Sequence, residues 1–379
     1  MNADRERDPG RRMKVAIIVH GGVDRSGTEH VIPALVWLIE RLARRNEVHV
    51  FARAQEPGPG EWDLCDARVH NIGLTPGRRQ RLFATFGREH AAAPFDVVQG
   101  VFGWGGSWAA LLGMRHRLPV AFHAAGDEFA TVEDIKYGMR SSARGRLALS
   151  IAVRGAARVT VATQAMQSLA TSRHVTSAVT SLGVALDQWP LRTPRARERG
   201  CPARLLHVGD LRPVKDQATL LSAAANLNER GVSFELDICG LDTLDGALQQ
   251  SPDAIAIRDR TRWHGSVNRV RLREFMERAD VLLVSSRHEA GPLVVLEAAI
   301  AGVPTVGTHV GHVADWAPDA AVAVPVGDAA ALADATSAVL DDEERRLRIA
   351  GAAQQRALAI DADYTAASFE RMYGELCAR

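Results

Sequence analysis

Two carboxylates eight positions apart stand in SSRHEAGPLVVLEAAIAGVPTVGT, residues 285–308, a stretch otherwise built mainly of small and apolar residues. Glu289 and Glu297 flank Gly291 and Pro292, and Pro292 suits the first position of a helix that Gly302 and Pro304 would end. The open N-terminus of such a helix offers unpaired N–H groups and a positive dipole end, the chemistry that holds a phosphate. Glu289 lies in the loop before the helix and Glu297 about 7 Å along its axis at 1.5 Å per residue, so one acid can reach a sugar beyond the phosphates and the other a ribose on the near side. A second cluster lies in HVGDLRPVKDQATLL, where Arg212 and Lys215 follow a strand-like run and Asp216 suits the cap of the next helix. Lysine occurs only at positions 14, 136 and 215. Two cations at a strand's carboxyl end, facing a helix N-terminus of the same domain, would neutralise a diphosphate. Each residue also has a plain structural role, as a dipole-stabilising acid or an exposed basic loop, so the combination carries the reading.

The elements that must position these groups follow from apolar periodicity. KVAIIVHGG reads as a strand, SGTEHVIPALVWLIERLARR as a helix and NEVHVFA as a second strand; further strands at FDVVQGV, PVAFHAA and RVTVAT alternate with helical segments such as IKYGMRSSARGRLALSIAVRGA. After a Pro-, Gly- and Arg-rich stretch the pattern restarts with RLLHVGD, DQATLLSAAANLNER, FELDICG, TRWHGS, VRLREFMERA, DVLLVSS, LVVLEAAIAG, PTVGT and AVAVPV, and a helical run from about 328 closes the chain. Alternation of this kind predicts parallel sheets covered on both faces, with ligands at the carboxyl ends of the strands. The expected fold class is α/β, as two doubly wound Rossmann-like domains facing a cleft. Residues 1–12 are expected to be a disordered leader, 13–190 the first domain, 191–202 a linker, 203–360 the second domain and 361–379 a C-terminal helix packing back toward the first.

Composition narrows the class. The chain has 379 residues, enough for two cores. No run approaches the roughly 20 apolar residues of a membrane span, and the polar start lacks a signal-peptide core, so a cytoplasmic location is the expectation. Cys65, Cys201, Cys239 and Cys377 have neither metal-ligand spacing nor the density of a disulfide framework. Residues 1–190 hold 24 Lys+Arg against 18 Asp+Glu and the remainder 22 against 27, balances of +6 and −5. This asymmetry is either ordinary variation on solvated faces or a basic half that meets an anionic partner such as a lipid surface.

VGDLRPVKD, followed about 75 residues later by E-x7-E at Glu289 and Glu297, resembles the retaining glycosyltransferases of family 4, which have the GT-B fold. In the first half, SGTEHVIPALVWLIERLARRNEVHVF resembles that family's glycine loop and first helix, and PVAFHAAGDE its strand and loop bearing an active-site histidine. The resemblance spans most of residues 13–375 and is most specific in the second half. It implies that Arg212 and Lys215 bind the donor's diphosphate and stabilise the departing nucleotide, that Glu297 holds the ribose and that Glu289 contacts the transferred sugar. It further implies that Gly291, Pro292 and Leu293 border the donor at the helix start, that His123 reaches the sugar and that Gly27 lets backbone approach the phosphates. Asp127 and Glu128 are candidates for an acceptor hydroxyl. Two departures stand out: Pro292, which has no N–H, replaces the family's glycine three residues after the first glutamate, and CGLDT replaces a GDG-like turn.

The expected activity is therefore transfer of a hexose from a nucleotide-diphosphate sugar to a hydroxyl acceptor, with retention of configuration. No cofactor or metal is required by it, since the single DxD at Asp361–Asp363 follows no strand and suits a helix cap. Expected partners are the donor and the acceptor, no nucleic acid, and peripheral contact of the Arg-rich segment (Arg140, Arg144, Arg146, Arg154, Arg158) with anionic membrane. A nicotinamide oxidoreductase would need GxGxxG directly after a strand, which HGGVDRSG does not supply. A sugar-nucleotide epimerase of the same fold and a non-catalytic sugar-nucleotide binder are the alternatives.

Overall fold

A computed structural model of the protein describes residues 12–198 and 200–378; apart from Arg12, the leader expected at 1–12 lies outside them. Among the described residues the chain divides into two compact α/β units. Unit 1 comprises residues up to 124 with 144–160 and 366–379; unit 2 comprises 125–143 and 161–365. The division is thus discontinuous and does not follow the linker at 191–202.

In unit 1 the strands β1 (Lys14–Val19), β2 (Glu47–Ala52), β3 (Gly60–Leu64), β4 (Ala67–Asn71), β5 (Val97–Val101), β6 (Val120–Ala124) and β7 (Arg158–Val161) lie in the order β3-β4-β2-β1-β5-β6-β7. β1 pairs in parallel with β2 and β5, β2 with β4, and β5 with β6. Every residue of β1 is buried, as a central parallel strand covered on both faces requires. The helix Phe102–His116 lies directly on the sheet because glycines line its contact face: a Cβ on Gly105 would meet the Ile18 carbonyl oxygen at 2.4 Å, and one on Gly106 the Phe122 ring at 2.5 Å. The hairpin β3–β4 runs antiparallel and adds an edge that the expected parallel sheet lacked. Its two-residue turn, Cys65 and Asp66, has φ of 51° and 62°, the mirror-type turn normally signalled by Asn-Gly.

In unit 2 a two-residue strand β8 (Ala178–Val179) precedes β9 (Ala203–Val208), β10 (Phe234–Cys239), β11 (Thr261–Gly265), β12 (Val281–Val284), β13 (Thr305–Thr308) and β14 (Val322–Val324). The last six are all parallel, in the order β11-β10-β9-β12-β13-β14. Leu205, Leu221, Phe234, Leu236, Val281 and Leu283 centre its core. Both units are therefore Rossmann-like, as expected.

Several helices begin later than the periodicity suggested. The first starts at Pro33, since Asp24 and Ser26 hold the preceding residues in a turn. The Arg-rich one starts at Ala143, after Gly138 with φ of 106°. The closing run is three helices, Ala329–Asp341, Glu343–Leu358 and Ala362–Cys377; Asp342 caps the second, and Asp361 accepts the Tyr364 N–H at 2.8 Å at the start of the third. No described helix is long and apolar enough to cross a membrane.

Candidate functional site

The strand order of unit 2 reverses between β9 and β12, so the loops leaving the carboxyl ends of these two neighbours share the place where a doubly wound sheet leaves room for a ligand. The β9 loop carries Arg212 and Lys215; the β12 loop carries Ser285 to Pro292. Two hydrogen bonds lock the loops together: the Arg287 N–H donates to the Val214 carbonyl and Ser285 Oγ to the Lys215 carbonyl, both at 2.8 Å. In consequence Lys215 Nζ sits 2.6 Å from Glu289 Oε1, which also accepts from Ser286 Oγ at 2.6 Å. Arg212 is exposed at the start of the 3-10 turn Pro213–Lys215, and its carbonyl accepts the Lys215 N–H at 2.9 Å. Asp216 caps the following helix, as expected, from a left-handed conformation with φ of 49°.

Beneath the loops, His207 is buried; its Nδ1 donates to the Leu283 carbonyl at 3.0 Å and its Nε2 accepts from Gln217 at 3.3 Å. Burial lowers this imidazole to about 4, so it stays neutral and serves as a cross-link between β9, β12 and the helix Gln217–Glu229.

The helix of the E-x7-E stretch runs Leu293–Ile300, with Pro292 at the cap position just before it, one residue earlier than the helical position expected. Pro292 supplies no N–H, which leaves Leu293 and Val294 as the open amides of the helix start. Gly291 and Gly311 pack this corner tightly: a Cβ on Gly291 would meet Ala162 Cβ at 2.8 Å, and one on Gly311 would meet Pro292 Cδ at 2.6 Å. Glu297 is buried, and burial raises its carboxyl to about 7, with Arg269 pulling the other way. The Trp189 indole N–H donates to the Glu297 backbone carbonyl at 2.9 Å, which anchors the helix from the segment before the linker.

Residues 125–143 belong to the same unit and gather around the same loops. Arg287 pairs with both carboxylate oxygens of Asp134, its Nη2 at 2.9 Å from Oδ1, and His288 Nε2 lies 3.3 Å from the Gly126 carbonyl. The Tyr137 hydroxyl is pushed far up by burial first, and then by Asp127, Glu289 and Glu128, with Arg212 opposing; these charges therefore act on one phenol. Glu128 is buried and accepts the Gly126 N–H at 2.8 Å, whereas Asp127 is half-buried. A groove of about 520 Å³ opens beside Glu289, lined by Arg287, His288, His309, Val310 and Gly311.

The remaining candidates lie in unit 1. Gly27 has φ of 67° in a turn closed by its N–H to the Asp24 carbonyl at 3.0 Å, a conformation that favours glycine. His123, on β6, is fully buried; its Nδ1 lies 2.9 Å from Thr160 Oγ1, its ring meets Phe369 edge-on at 5.3 Å, and its Nε2 has no hydrogen-bond partner. Burial lowers it to about 3. A neutral ring with one orphaned nitrogen retains the capacity for one more hydrogen bond.

The structure thus brings Lys215 and Glu289 into direct contact, sets Arg212, Asp127 and Glu128 within electrostatic reach of Tyr137, and buries Glu297 within its helix. Sequence reasoning missed Ser286, Tyr137, Asp134, Arg287, His288 and Gly311. Ser286 had a local signal, three residues before Glu289; Asp134 and Tyr137 had none, being about 150 residues away.

Two family models match the chain: a glycosyl transferase 4-like domain over residues 31–184 and glycosyl transferases group 1 over residues 194–356. A glycogen synthase of Mycobacterium tuberculosis is 32% identical over 176 residues, 46% of this chain and 42% of that protein. A D-inositol 3-phosphate glycosyltransferase of an Arthrobacter species is 33% identical over 167 residues, 41% of this chain and 40% of that protein. The aligned region spans less than half the length of these curated relatives. Among solved structures, sucrose-phosphate synthase from Thermosynechococcus elongatus superposes with a TM-score of 0.79 at 19% identity, over 97% of this chain and 100% of that one. Anabaena HepE in complex with UDP and glucose gives 0.73 at 16% identity, over 96% and 100%. At such identities these structures speak to the fold alone. With both halves matched in order and the fold shared over almost the whole length, the chain belongs to the family-4-like glycosyltransferases of the GT-B fold.

Proposed function

We propose that the protein transfers a hexosyl group from a nucleoside diphosphate sugar to an acceptor hydroxyl, with retention of configuration and without a metal in the chemical step. The observation that carries this reading is the Lys215 ammonium 2.6 Å from the Glu289 carboxylate, set at the open start of the helix Leu293–Ile300. A diphosphate resting on the Leu293 and Val294 amides meets Lys215 and the exposed Arg212, while Glu289 faces the sugar it carries. As the bond from the anomeric carbon to the phosphate oxygen breaks, negative charge grows on the diphosphate, and cations already in place stabilise it without reorganisation. The acceptor oxygen attacks from the same face, and the leaving diphosphate oxygen takes its proton. His123 Nε2 and Gly27 serve the sugar and phosphates in this reading, and Glu297 the ribose; Asp127 is the stronger acceptor-binding candidate, since Glu128 is already committed to its own loop.

The glycosyl transferase models that match both halves of the chain support a sugar nucleotide as the ligand class. An epimerase reading has no residue-level observation in its favour. Arg144, Arg146 and Arg154 are exposed on the helix Ala143–Gly155 beside Leu147, which is 64% exposed, and these support peripheral contact with anionic lipid; Arg158 is instead paired with Glu375 at 3.1 Å. Sedimentation with anionic and neutral vesicles at low and high salt tests that contact, and equal recovery on both would remove it.

For the transfer itself, a thermal-shift screen with UDP, GDP and ADP sugars identifies the donor, and turnover follows with that donor. Lys215→Ala and Glu289→Ala are expected to lower kcat on the order of 100-fold or more, with circular dichroism unchanged. Undiminished turnover in both variants would end the reading.

A further inference from the structure

On the edge of the unit 1 sheet, away from every residue assigned above, a chain of four side chains runs Glu47, His49, His70, Glu61. Glu47 Oε1 lies 3.0 Å from His49 Nε2, His49 Nδ1 lies 3.0 Å from His70 Nε2, and His70 Nδ1 lies 3.2 Å from Glu61 Oε1. Strand geometry produces the alignment. Glu47, His49 and Phe51 alternate onto one face of β2, the β2/β4 register sets His70 beside Phe51, and the antiparallel β3/β4 register sets Glu61 opposite His70. Both histidines are buried, and Phe51 stacks on His70 at 4.8 Å while Phe95 meets His49 edge-on at 5.4 Å. From the helix Arg78–Ala92, Glu89 brings its Oε2 to 3.8 Å from His49 Nδ1.

Counting protons exposes a deficit. Three contacts in a row need three bridging protons, and two neutral imidazoles carry two. The outer carboxylates are anchored as anions, Glu47 by Lys14 at 3.1 Å, Glu61 by Arg68 at 3.0 Å and Arg88 at 2.8 Å. Each ring's proton therefore points outward to its carboxylate, and two nitrogen lone pairs face one another across 3.0 Å.

We propose that His49 Nδ1, His70 Nε2 and a Glu89 carboxylate oxygen form a binding site for a divalent cation of the zinc class. The three atoms lie within 4.8 Å of one another. Tetrahedral zinc, with metal–ligand bonds of about 2.0–2.1 Å, spaces its ligands by about 3.3 Å, between the 3.0 Å and 3.8 Å found here. Behind each ligating imidazole stands a carboxylate on the opposite ring nitrogen, the arrangement that fixes tautomer and orientation in metal-ligating histidines. The Glu89 side chain is 20% exposed, which gives the ion a path from solvent and a fourth position for water. The bound ion ties β2, β4 and the helix Arg78–Ala92 together at the sheet edge, a structural role independent of the transfer chemistry. It departs from the sequence-based expectation of no metal, because the three ligands come from three elements and follow no motif spacing.

The test uses untagged full-length protein, stripped with chelator and titrated calorimetrically with zinc and then with cobalt(II). One equivalent is expected, with a raised melting temperature and the intense visible absorption of tetrahedral cobalt. Glu89→Gln and His70→Gln should each weaken binding at least tenfold, and Glu47→Gln about 10–100-fold through the supporting carboxylate. Should His70→Gln fail to fold by circular dichroism, Glu89→Gln, whose side chain is partly exposed, carries the comparison. Absence of a saturable single equivalent in folded wild type, or undiminished zinc binding in Glu89→Gln, overturns the proposal.

Discussion

At the scale of single residues, Glu297 shows most directly what burial does to a carboxyl. Its carboxyl stands at about 7 in the folded protein against an ordinary 4.5. Between those values the folded state holds more protons than the unfolded one, so stability falls as pH rises from about 4.5 to about 7 and is flat above. At 1.36 kcal/mol per unit the whole change is about 3 kcal/mol. Glu297→Gln removes this dependence: the variant should gain about 3 kcal/mol on wild type between pH 4.5 and 8 in urea unfolding. Parallel stability curves for the two proteins would show that the carboxyl does not titrate as described. Glu297→Ala is expected to weaken nucleotide binding, while Glu289→Ala spares it and depresses transfer; calorimetry with free nucleotide distinguishes the two. Both glutamates were legible in the sequence because acids are conspicuous among apolar residues. Ser286 and Tyr137 were not, since serine is a common residue here and Tyr137 lies about 150 residues from the loop it meets.

At the scale of elements, the corner around Pro292 is held by a backbone conformation that only glycine adopts easily. Gly311 has φ of 47°, and an added Cβ would stand 2.6 Å from Pro292 Cδ and 3.2 Å from the Glu289 carbonyl oxygen. Gly311→Ala should cost about 1–2 kcal/mol from the left-handed conformation alone, and more from the clash, and should lower transfer by displacing Glu289. A melting temperature and turnover equal to wild type would contradict this. The helix Gln164–Thr171 shows a different dependence: Asp315 accepts the Gln164 and Ala165 N–H groups at 2.6 and 2.8 Å, and Thr163 accepts that of Met166. Asp315→Ala should cost about 1–2 kcal/mol in chemical denaturation. Most strands and helices could be read from periodicity, because apolar spacing follows directly from burial on one face or two. The β3–β4 hairpin escaped because Cys65-Asp66 is an unusual occupant of its turn, and the helix starts escaped because they are decided by local turns such as the one at Asp24 and by caps such as Asp342.

At the scale of the molecule, unit 2 recruits two segments that precede the linker. Trp189 is 1% exposed and bonded to Glu297, Thr163 Oγ1 donates to the Ala290 carbonyl at 2.7 Å, and Asp134 holds Arg287. A fragment comprising residues 203–365 should therefore unfold at lower denaturant than the intact protein and lose its cooperative melt. An unchanged transition would show the β9–β14 sheet to be self-sufficient. By itself the amino-acid order determined the two repeats of strand and helix, the position of the helix that follows Pro292 and the identity of the acids and bases around it. Those features depend on neighbours within about twenty residues, where propensity, capping and spacing act. Only the tertiary structure decided that Lys215 meets Glu289, that Tyr137 lies within the electrostatic reach of four charges and that His49, His70 and Glu89 converge. Such contacts depend on strand order and register, which bring together side chains from distant segments without leaving a local mark on any of them.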